Sequence, residues 1–229
     1  EQEEMALAYQ TALTIESVIK DIDSKKYLLP SIQREFVWST GQIEKLFDSL
    51  MRDYPINAFL FWKVPREKVS EFKFYEFLRD YHQKDNKHNP KANTNGTEDI
   101  IAILDGQQRM TSLYIALKGT YAYKMSYKRW DNPAAYPKRK LYLNLLAASD
   151  DADMFYDFLF LTEEEAKNIK NDNDEYEGSF WFPVGKILDF REESDVNDYL
   201  IDNDLNTVAD KAQAKFANKA LFKLYSIIH

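Results

Sequence analysis

One stretch of the sequence constrains the fold more than any other: a short apolar run at residues 100–104 that leads through Asp105 and Gly106 into a helical pattern. A continuous apolar run of this length is typical of a buried strand. The apolar residues that follow recur at three- and four-residue steps, as on one face of a helix, and are Met110, Leu113, Tyr114 and Leu117. The sequence therefore predicts a strand, a tight turn and a helix that ends near Gly119.

Similar patterns elsewhere predict further helices and strands. Helical patterns occur at residues 13–22, 41–53 and 162–170. The chain is also expected to be helical from residue 194 onward, with one long amphipathic helix at residues 205–228. Strand-like runs occur at residues 27–32, 58–64, 141–146, 155–161 and 180–183, of which 58–64 suits a buried strand and 155–161 could also be helical. We therefore predict an α+β fold, in which a small mixed sheet with packed helices is followed by a helical portion.

The predicted domain organisation has two parts. Residues 1–178 are expected to form the α+β domain, within which residues 83–99 lack apolar side chains and predict a polar loop. Residues 179–229 are expected to form a helical C-terminal portion. The chain is long enough for one substantial core or two small ones, and we favour one domain with an appendage.

Composition and charge exclude several classes of protein. The chain has no cysteine and three histidines, so disulfides, thiolate metal sites and an evident zinc site are excluded. No apolar run approaches the roughly 18 residues of a membrane span, so we expect a cytoplasmic protein with no membrane partner. Residues 1–150 carry 22 Lys and Arg against 20 Asp and Glu, a net charge of +2, whereas residues 151–229 carry 8 against 18, a net charge of -10. A polyanion should therefore bind the first part.

The segment after the predicted strand has the features of an anion site. Asp105 lies at the carboxyl end of the strand, Gly106 lets the backbone turn, and the helix start offers free N–H groups and the positive end of its dipole. Side chains able to bind phosphate follow at Gln107, Gln108, Arg109 and Thr111. A polar turn whose Arg109 pairs with a surface carboxylate fits the spacing equally well. Neither a Walker loop nor a G-x-G-x-x-G motif occurs.

Two further groups of residues suit contact with nucleotides or nucleic acid. Gln33, Arg34 and Trp38 lie next to a proline-stiffened extended segment and supply an amide, a guanidinium and a stacking face, although a tryptophan four residues past an arginine is more often a core residue. A basic group interleaved with aromatic residues predicts DNA binding by Lys128, Arg129, Lys138, Arg139 and Lys140, with Lys124 nearby. Most basic runs of this kind are solvated charged faces, and that is the alternative for this group.

Together these motifs resemble the N-terminal domain of GmrSD-type, modification-dependent restriction endonucleases, which has a ParB/sulfiredoxin-like core. The matching positions are Tyr27, Pro30, Gln33, Arg34, Phe36, Trp38, Pro55, Ile56 and the run from Asp105 to Arg109. Asn57 stands where the family usually has glycine, which is compatible because asparagine also adopts left-handed backbone angles. The family's domain usually continues beyond the long C-terminal helix, so we expect residues 179–229 to be truncated and a nuclease domain or subunit to be missing from this chain.

The resemblance implies a phage-defence protein that binds DNA, including modified DNA, and hydrolyses a nucleoside triphosphate, GTP or ATP, with Mg²⁺ to control DNA cleavage. Gln107 or Gln108 would orient the attacking water, Arg109 would stabilise phosphoryl charge, and Asp105 would order a metal-bound water or act as base. The nucleotide or its phosphates would be bound by Gln33, Arg34, Trp38, Gly106 and Thr111. Direct phosphodiester cleavage at the same residues, or DNA or nucleotide binding without catalysis, are the alternatives.

Overall fold

The computed structural model describes residues 13–31, 35–94, 100–173, 175–208 and 210–229. The strands in chain order are β1 (Tyr27–Pro30), β2 (Leu60–Val64), β3 (Phe74–Tyr75), β4 (Asp80–His82), β5 (Ile100–Asp105), β6 (Thr120–Ala122), β7 (Lys138–Ala148), β8 (Tyr156–Leu161) and β9 (Trp181–Pro183). The α-helices are α1 (Ile15–Asp23), α2 (Thr40–Met51), α3 (Gln107–Lys118), α4 (Glu193–Asp202) and α5 (Lys211–Ile228). This content confirms the predicted α+β class.

The strands form two small mixed sheets where the sequence predicted one. In the first sheet the order is β2-β5-β1-β3, with β5 parallel to β1 and antiparallel to β2. In the second sheet the order is β4-β6-β7-β8, and β9 also pairs with β7. The strands β3, β4 and β6 have only two or three residues each, too few for a periodic pattern to be recognised in the sequence.

The helices predicted near the N-terminus are confirmed. The Thr14 side chain caps α1 by accepting from the Ser17 backbone N–H at 3.2 Å. Ser39 and Gln42 form a reciprocal capping box at the start of α2. Helix α2 is then fastened to β8, because the buried Asp48 carboxylate accepts from the backbone N–H groups of Phe155 and Tyr156 at 2.9 and 2.8 Å.

The helix predicted at residues 162–170 is wrong. Thr162 and Glu165 do form both capping-box hydrogen bonds, at 2.8 and 3.2 Å, but the chain makes a single turn and leaves the helical path. A capping box satisfies the first backbone donors, whereas a stable helix also needs an apolar face to bury. Here Ala166 is buried and Ile169 remains exposed, so the segment has too little apolar surface facing the core.

Two other expectations need correction. Strand β2 was expected to be buried, but it lies at an edge of the first sheet, with Leu60 56% exposed and Val64 its one buried residue. The run at residues 205–228 was expected to be one helix, but α4 ends before a left-handed Asp204 and α5 begins only at Lys211. The strand interpretation of residues 155–161 is confirmed by β8.

The main hydrophobic core draws on both sheets and on all five α-helices, and it extends along the chain from Val18 to Ile228. Helix α5 packs on β7, with its small residues Ala217 and Ala220 fully buried. Residues on both sides of position 178 therefore share one buried cluster, while the division into two parts stays a prediction. Within the described residues, no helix is both long and apolar enough to cross a membrane.

Candidate functional site

The predicted strand, turn and helix around Asp105 are present. Strand β5 ends at Asp105, Gly106 adopts a left-handed φ of 83°, and α3 begins at Gln107. A side chain at position 106 would overlap the Phe59 ring, so both the backbone angle and the available space require glycine. No side chain in the described part of the chain caps the N-terminus of α3, and the neighbouring Asp105 carboxylate is 73% exposed.

Arg109 fastens the turn that precedes β2. Its guanidinium donates to the carbonyl oxygen of Ile56 and, at 2.9 Å, to that of Ala58, and it lies over the Phe59 ring with 4.7 Å to the ring centroid. Asn57 lies between these two carbonyls and has a left-handed φ of 66°. This angle is the one expected where asparagine replaces a glycine. Both carbonyl acceptors are neutral, and the Asp105 carboxylate lies 3.8 Å from the guanidinium.

Gln108 joins the start of α3 to the chain just after the Gln33-Arg34 motif. Its side-chain amide donates to the carbonyl oxygen of Glu35 at 3.0 Å and accepts from the backbone N–H of Val37 at 3.0 Å. Glu35 directly follows Arg34 in the sequence, so the start of α3 holds the chain next to the Gln33-Arg34 motif. Gln33 and Arg34 themselves lie outside the described residues, and their predicted contact with a nucleotide stays a prediction.

Three other predicted site residues have partners within the fold. The Gln107 amide donates to the carbonyl oxygen of Ile103 at 2.9 Å, and the buried Thr111 hydroxyl donates to the carbonyl oxygen of Gln107 at 2.8 Å. Trp38 packs partly buried against the main core, while its carbonyl oxygen accepts from the Tyr121 hydroxyl at 3.0 Å. This placement agrees with the core alternative for Trp38.

Sequence reasoning missed an apolar cavity of about 140 Å³ beside Arg109. Its lining includes Ile15, Ile19, Ile56, Phe59, Met110 and Leu113, which come from α1, α3 and the chain that enters β2. Phe59 belongs both to this lining and to the stack under Arg109. The contributing residues are dispersed along the chain, so no spacing in the sequence signals the cavity.

The carboxyl groups whose pKa is raised lie away from Asp105, between α2 and β8. Burial raises the pKa of Glu44, although the hydrogen bond that its carboxylate accepts from the Phe160 N–H at 3.0 Å opposes the change. Burial also raises the pKa of Asp157, opposed by the 3.2 Å hydrogen bond from the Asn144 amide. The Glu44 hydrogen bond joins α2 to β8, and the Asp157 hydrogen bond joins β8 to β7.

The described residues contain no group of three or more His, Cys, Asp or Glu placed to hold a metal ion. Mg²⁺ in nucleotide sites, however, is usually bound through one or two carboxylates together with phosphate oxygens. The exposed Asp105 carboxylate beside the uncapped helix start fits this mode of binding.

The predicted DNA-binding residues divide into two groups. Lys128, Arg129, Lys138 and Lys140 have exposed side chains. Arg139 is only 5% exposed, and its guanidinium donates to the carbonyl oxygens of Tyr123 and Pro137 at 3.4 and 3.2 Å. Arg139 therefore stabilises the neighbouring loop and lies outside the exposed cationic surface.

The structure is an α+β domain in which the Gln108 side chain ties the start of α3 to the backbone of Glu35 and Val37. The chain belongs to the family described as the N-terminal domain of GmrSD restriction endonucleases, which matches residues 15–229. It is also 33% identical over 113 residues to an uncharacterized protein of Methanocaldococcus jannaschii. That match covers 49% of this chain and 18% of the archaeal protein, so the chain spans under a fifth of that relative's length.

Proposed function

We propose that this domain binds a nucleoside triphosphate with Mg²⁺ at the start of α3, and that hydrolysis of the nucleotide controls DNA cleavage by the restriction system. The observation that carries the proposal is the Gln108 side chain, which hydrogen-bonds the backbone of Glu35 and Val37. Residues that are 71 and 73 positions apart in the sequence are thereby brought together beside an exposed carboxylate.

The start of α3 supplies the attraction for phosphate. Free backbone N–H groups and the positive end of the helix dipole favour an anion at an uncapped N-terminus. The left-handed Gly106 removes the side chain that would otherwise obstruct close approach to the backbone. Asp105 alone would repel phosphate, but a carboxylate at such a position serves as a ligand of the Mg²⁺ that accompanies the nucleotide.

Arg109 adds positive charge without being a freely extended phosphate ligand. Its hydrogen bonds to two neutral carbonyl oxygens leave the guanidinium charge in place, with Asp105 as a neighbour at 3.8 Å. In a side chain that is 15% exposed, this charge is screened less by water than a surface arginine would be. We assign Arg109 the stabilisation of phosphoryl charge, Gln107 and Gln108 the positioning of the backbone, and Asp105 the role of base or of ordering a metal-bound water.

The test is phosphate release from GTP and ATP by the purified protein with Mg²⁺, comparing wild type with Asp105→Asn. We expect the substitution to lower the turnover number by about 100-fold or more, the range for loss of a catalytic acid or base. Asp198→Asn, at an exposed carboxylate on α4, is the matched control and should turn over nucleotide as wild type does. Nucleotide binding, measured by calorimetry, should survive in both variants.

Three results would contradict the proposal. Nucleotide binding without turnover in the wild type, with DNA present, would indicate a binding module. Cleavage of modified DNA without any nucleotide, abolished by Asp105→Asn, would indicate direct phosphodiester chemistry at this site. Unchanged turnover in Asp105→Asn would remove Asp105 from the reaction.

A further inference from the structure

A second surface lies on the loop between β6 and β7, residues 123–137, which we name the aromatic loop. Its most prominent side chain is Tyr127, which is fully exposed, and Trp130 is 57% exposed. Within the part of the chain that the structure describes, the Tyr127 side chain makes no ring contact or hydrogen bond. An isolated tyrosine ring held in water offers both faces for stacking.

The aromatic loop is held in shape from inside by Lys124. Its ammonium group donates to the carbonyl oxygens of Met125, Ser126 and Lys128 at 2.9, 3.4 and 2.9 Å. The same group lies 5.5 Å from the centroid of the Trp130 ring. A lysine that satisfies three carbonyls of one turn fixes the backbone on both sides of Tyr127, so little conformational entropy is lost when Tyr127 binds a ligand.

The base of the aromatic loop is closed by Arg139. Besides its two hydrogen bonds to loop carbonyls, the Arg139 guanidinium lies over the Tyr123 ring at 3.9 Å from the centroid. The Tyr136 hydroxyl donates to the carbonyl oxygen of Trp130 at 3.1 Å and joins the two halves of the loop. Lys124 and Arg139 thus stabilise the loop from within, whereas the cations at Lys128 and Arg129 remain exposed.

The charge around the aromatic loop is opposite to that of the whole chain. Residues 121–140 contain six Lys and Arg and one acidic residue, Asp131, in a chain whose net charge is -8. Lys128 and Arg129 directly follow Tyr127 and are exposed, and neither side chain forms an ion pair with a described residue. Lys138 and Lys140, also exposed, alternate with the buried Arg139 along β7 and so share one face of the strand.

We propose that the aromatic loop binds DNA at an unpaired nucleotide, whose base stacks on Tyr127 while Lys128 and Arg129 bind the adjoining phosphates. An exposed ring next to uncompensated cations matches the repeating unit of a single strand, a flat base beside a negative phosphate. Such stacking tolerates any base, because every base has a π-face. This site lies outside the α3 site and does not depend on nucleotide hydrolysis.

The test measures binding of fluorescent DNA to the purified protein by anisotropy without nucleotide, using single-stranded, fully paired and single-mismatch probes. Tyr127→Ala should weaken binding of the single strand by about 10-fold, the effect of losing one base stack, and should weaken duplex binding less. Tyr127→Phe keeps the ring and should bind within about 2-fold of wild type. Lys128→Gln should reduce the salt dependence of single-strand binding by about 0.7 in the logarithmic slope.

Tyr54→Ala is the matched control, because Tyr54 is an exposed tyrosine outside the aromatic loop. The proposal is overturned if Tyr127→Ala binds the single strand as Tyr54→Ala does, or if it weakens single-strand and duplex binding equally. Wild-type binding to anionic phosphatidylserine vesicles but not to DNA would overturn it in favour of a membrane. Phosphate release is measured on the same Tyr127→Ala protein and should be unchanged, so failure of the α3 proposal would be seen separately.

Discussion

Asn57 illustrates how one residue supports the candidate site. Its left-handed backbone lies between the two carbonyls that Arg109 binds. We expect Asn57→Ala to lower the free energy of unfolding by about 1 kcal/mol, because alanine has a Cβ that opposes this conformation and lacks asparagine's local polar contacts. Asn57→Gly should be neutral, since glycine adopts positive φ freely. Urea denaturation of both variants checks this ranking, and an alanine variant as stable as the glycine variant would contradict it.

Individual residues were predictable from the sequence where the cause is local. Asp105 at a strand end, Gly106 at a turn and Thr14 at a helix cap each follow from neighbours within a few positions. The partners of Gln108 and Arg109 were not predictable, because those hydrogen bonds join positions 51 to 73 residues apart. The same amide and guanidinium that suit phosphate also suit backbone carbonyls, and only the tertiary structure distinguishes the two uses.

At the scale of elements, α2 and β8 are joined by the carboxyl group of Glu44, which accepts a hydrogen bond from the Phe160 N–H. The pKa of Glu44 is raised by burial, so the folded state holds the Glu44 proton more tightly than the unfolded state does. The stability that Glu44 contributes is therefore present at low pH and is lost as the pH rises from its ordinary pKa through the raised folded value.

We expect Glu44→Gln, which mimics the protonated carboxyl, to be more stable than wild type at neutral pH and equal to it at low pH. The amide oxygen of the substituted side chain can still accept from the Phe160 N–H, so the hydrogen bond is retained. Denaturant unfolding at a series of pH values measures the difference. Glu67→Gln, at an exposed glutamate, should differ little from wild type at every pH, and a Glu44→Gln variant that gains nothing above neutral pH would refute the interpretation.

Elements were predictable where a pattern is long and has an apolar face. Helices α2 and α3 have 12 residues each, and their predicted bounds agree with the structure within about two residues. The segment after Thr162 has a correct cap but too little apolar surface to bury. Strand β2 was misjudged because its apolar and aromatic run gives no indication of which side is covered. Its edge position depends on sheet order, which is a property of the complete fold.

At the scale of the whole molecule, the shared core predicts a single cooperative unfolding transition. The chain has four tryptophans, at positions 38, 62, 130 and 181, on both sides of the predicted division at residue 178. Because α5 packs on β7 and belongs to the main buried cluster, loss of the C-terminal helices should unfold the sheet with them.

Tryptophan fluorescence and far-UV circular dichroism should therefore give coincident denaturation curves. Ala220→Leu, which forces extra volume into the contact of α5 with the core, should lower the free energy of unfolding by about 1 to 3 kcal/mol in the same single transition. Two separated transitions, of which Ala220→Leu shifts only the earlier one, would instead support independent folding of the C-terminal portion.

The Gln108 side chain also fixes the number of residues between the two backbone groups that it binds. One amide spans a carbonyl and an N–H that are separated by the single residue Phe36, and both partners are backbone groups. Replacing the side chains of Glu35 or Val37 leaves these two bonds available, whereas inserting or deleting one residue places the wrong backbone group opposite each end of the amide. The segment beside the Gln33-Arg34 motif is therefore tolerant in composition and fixed in length.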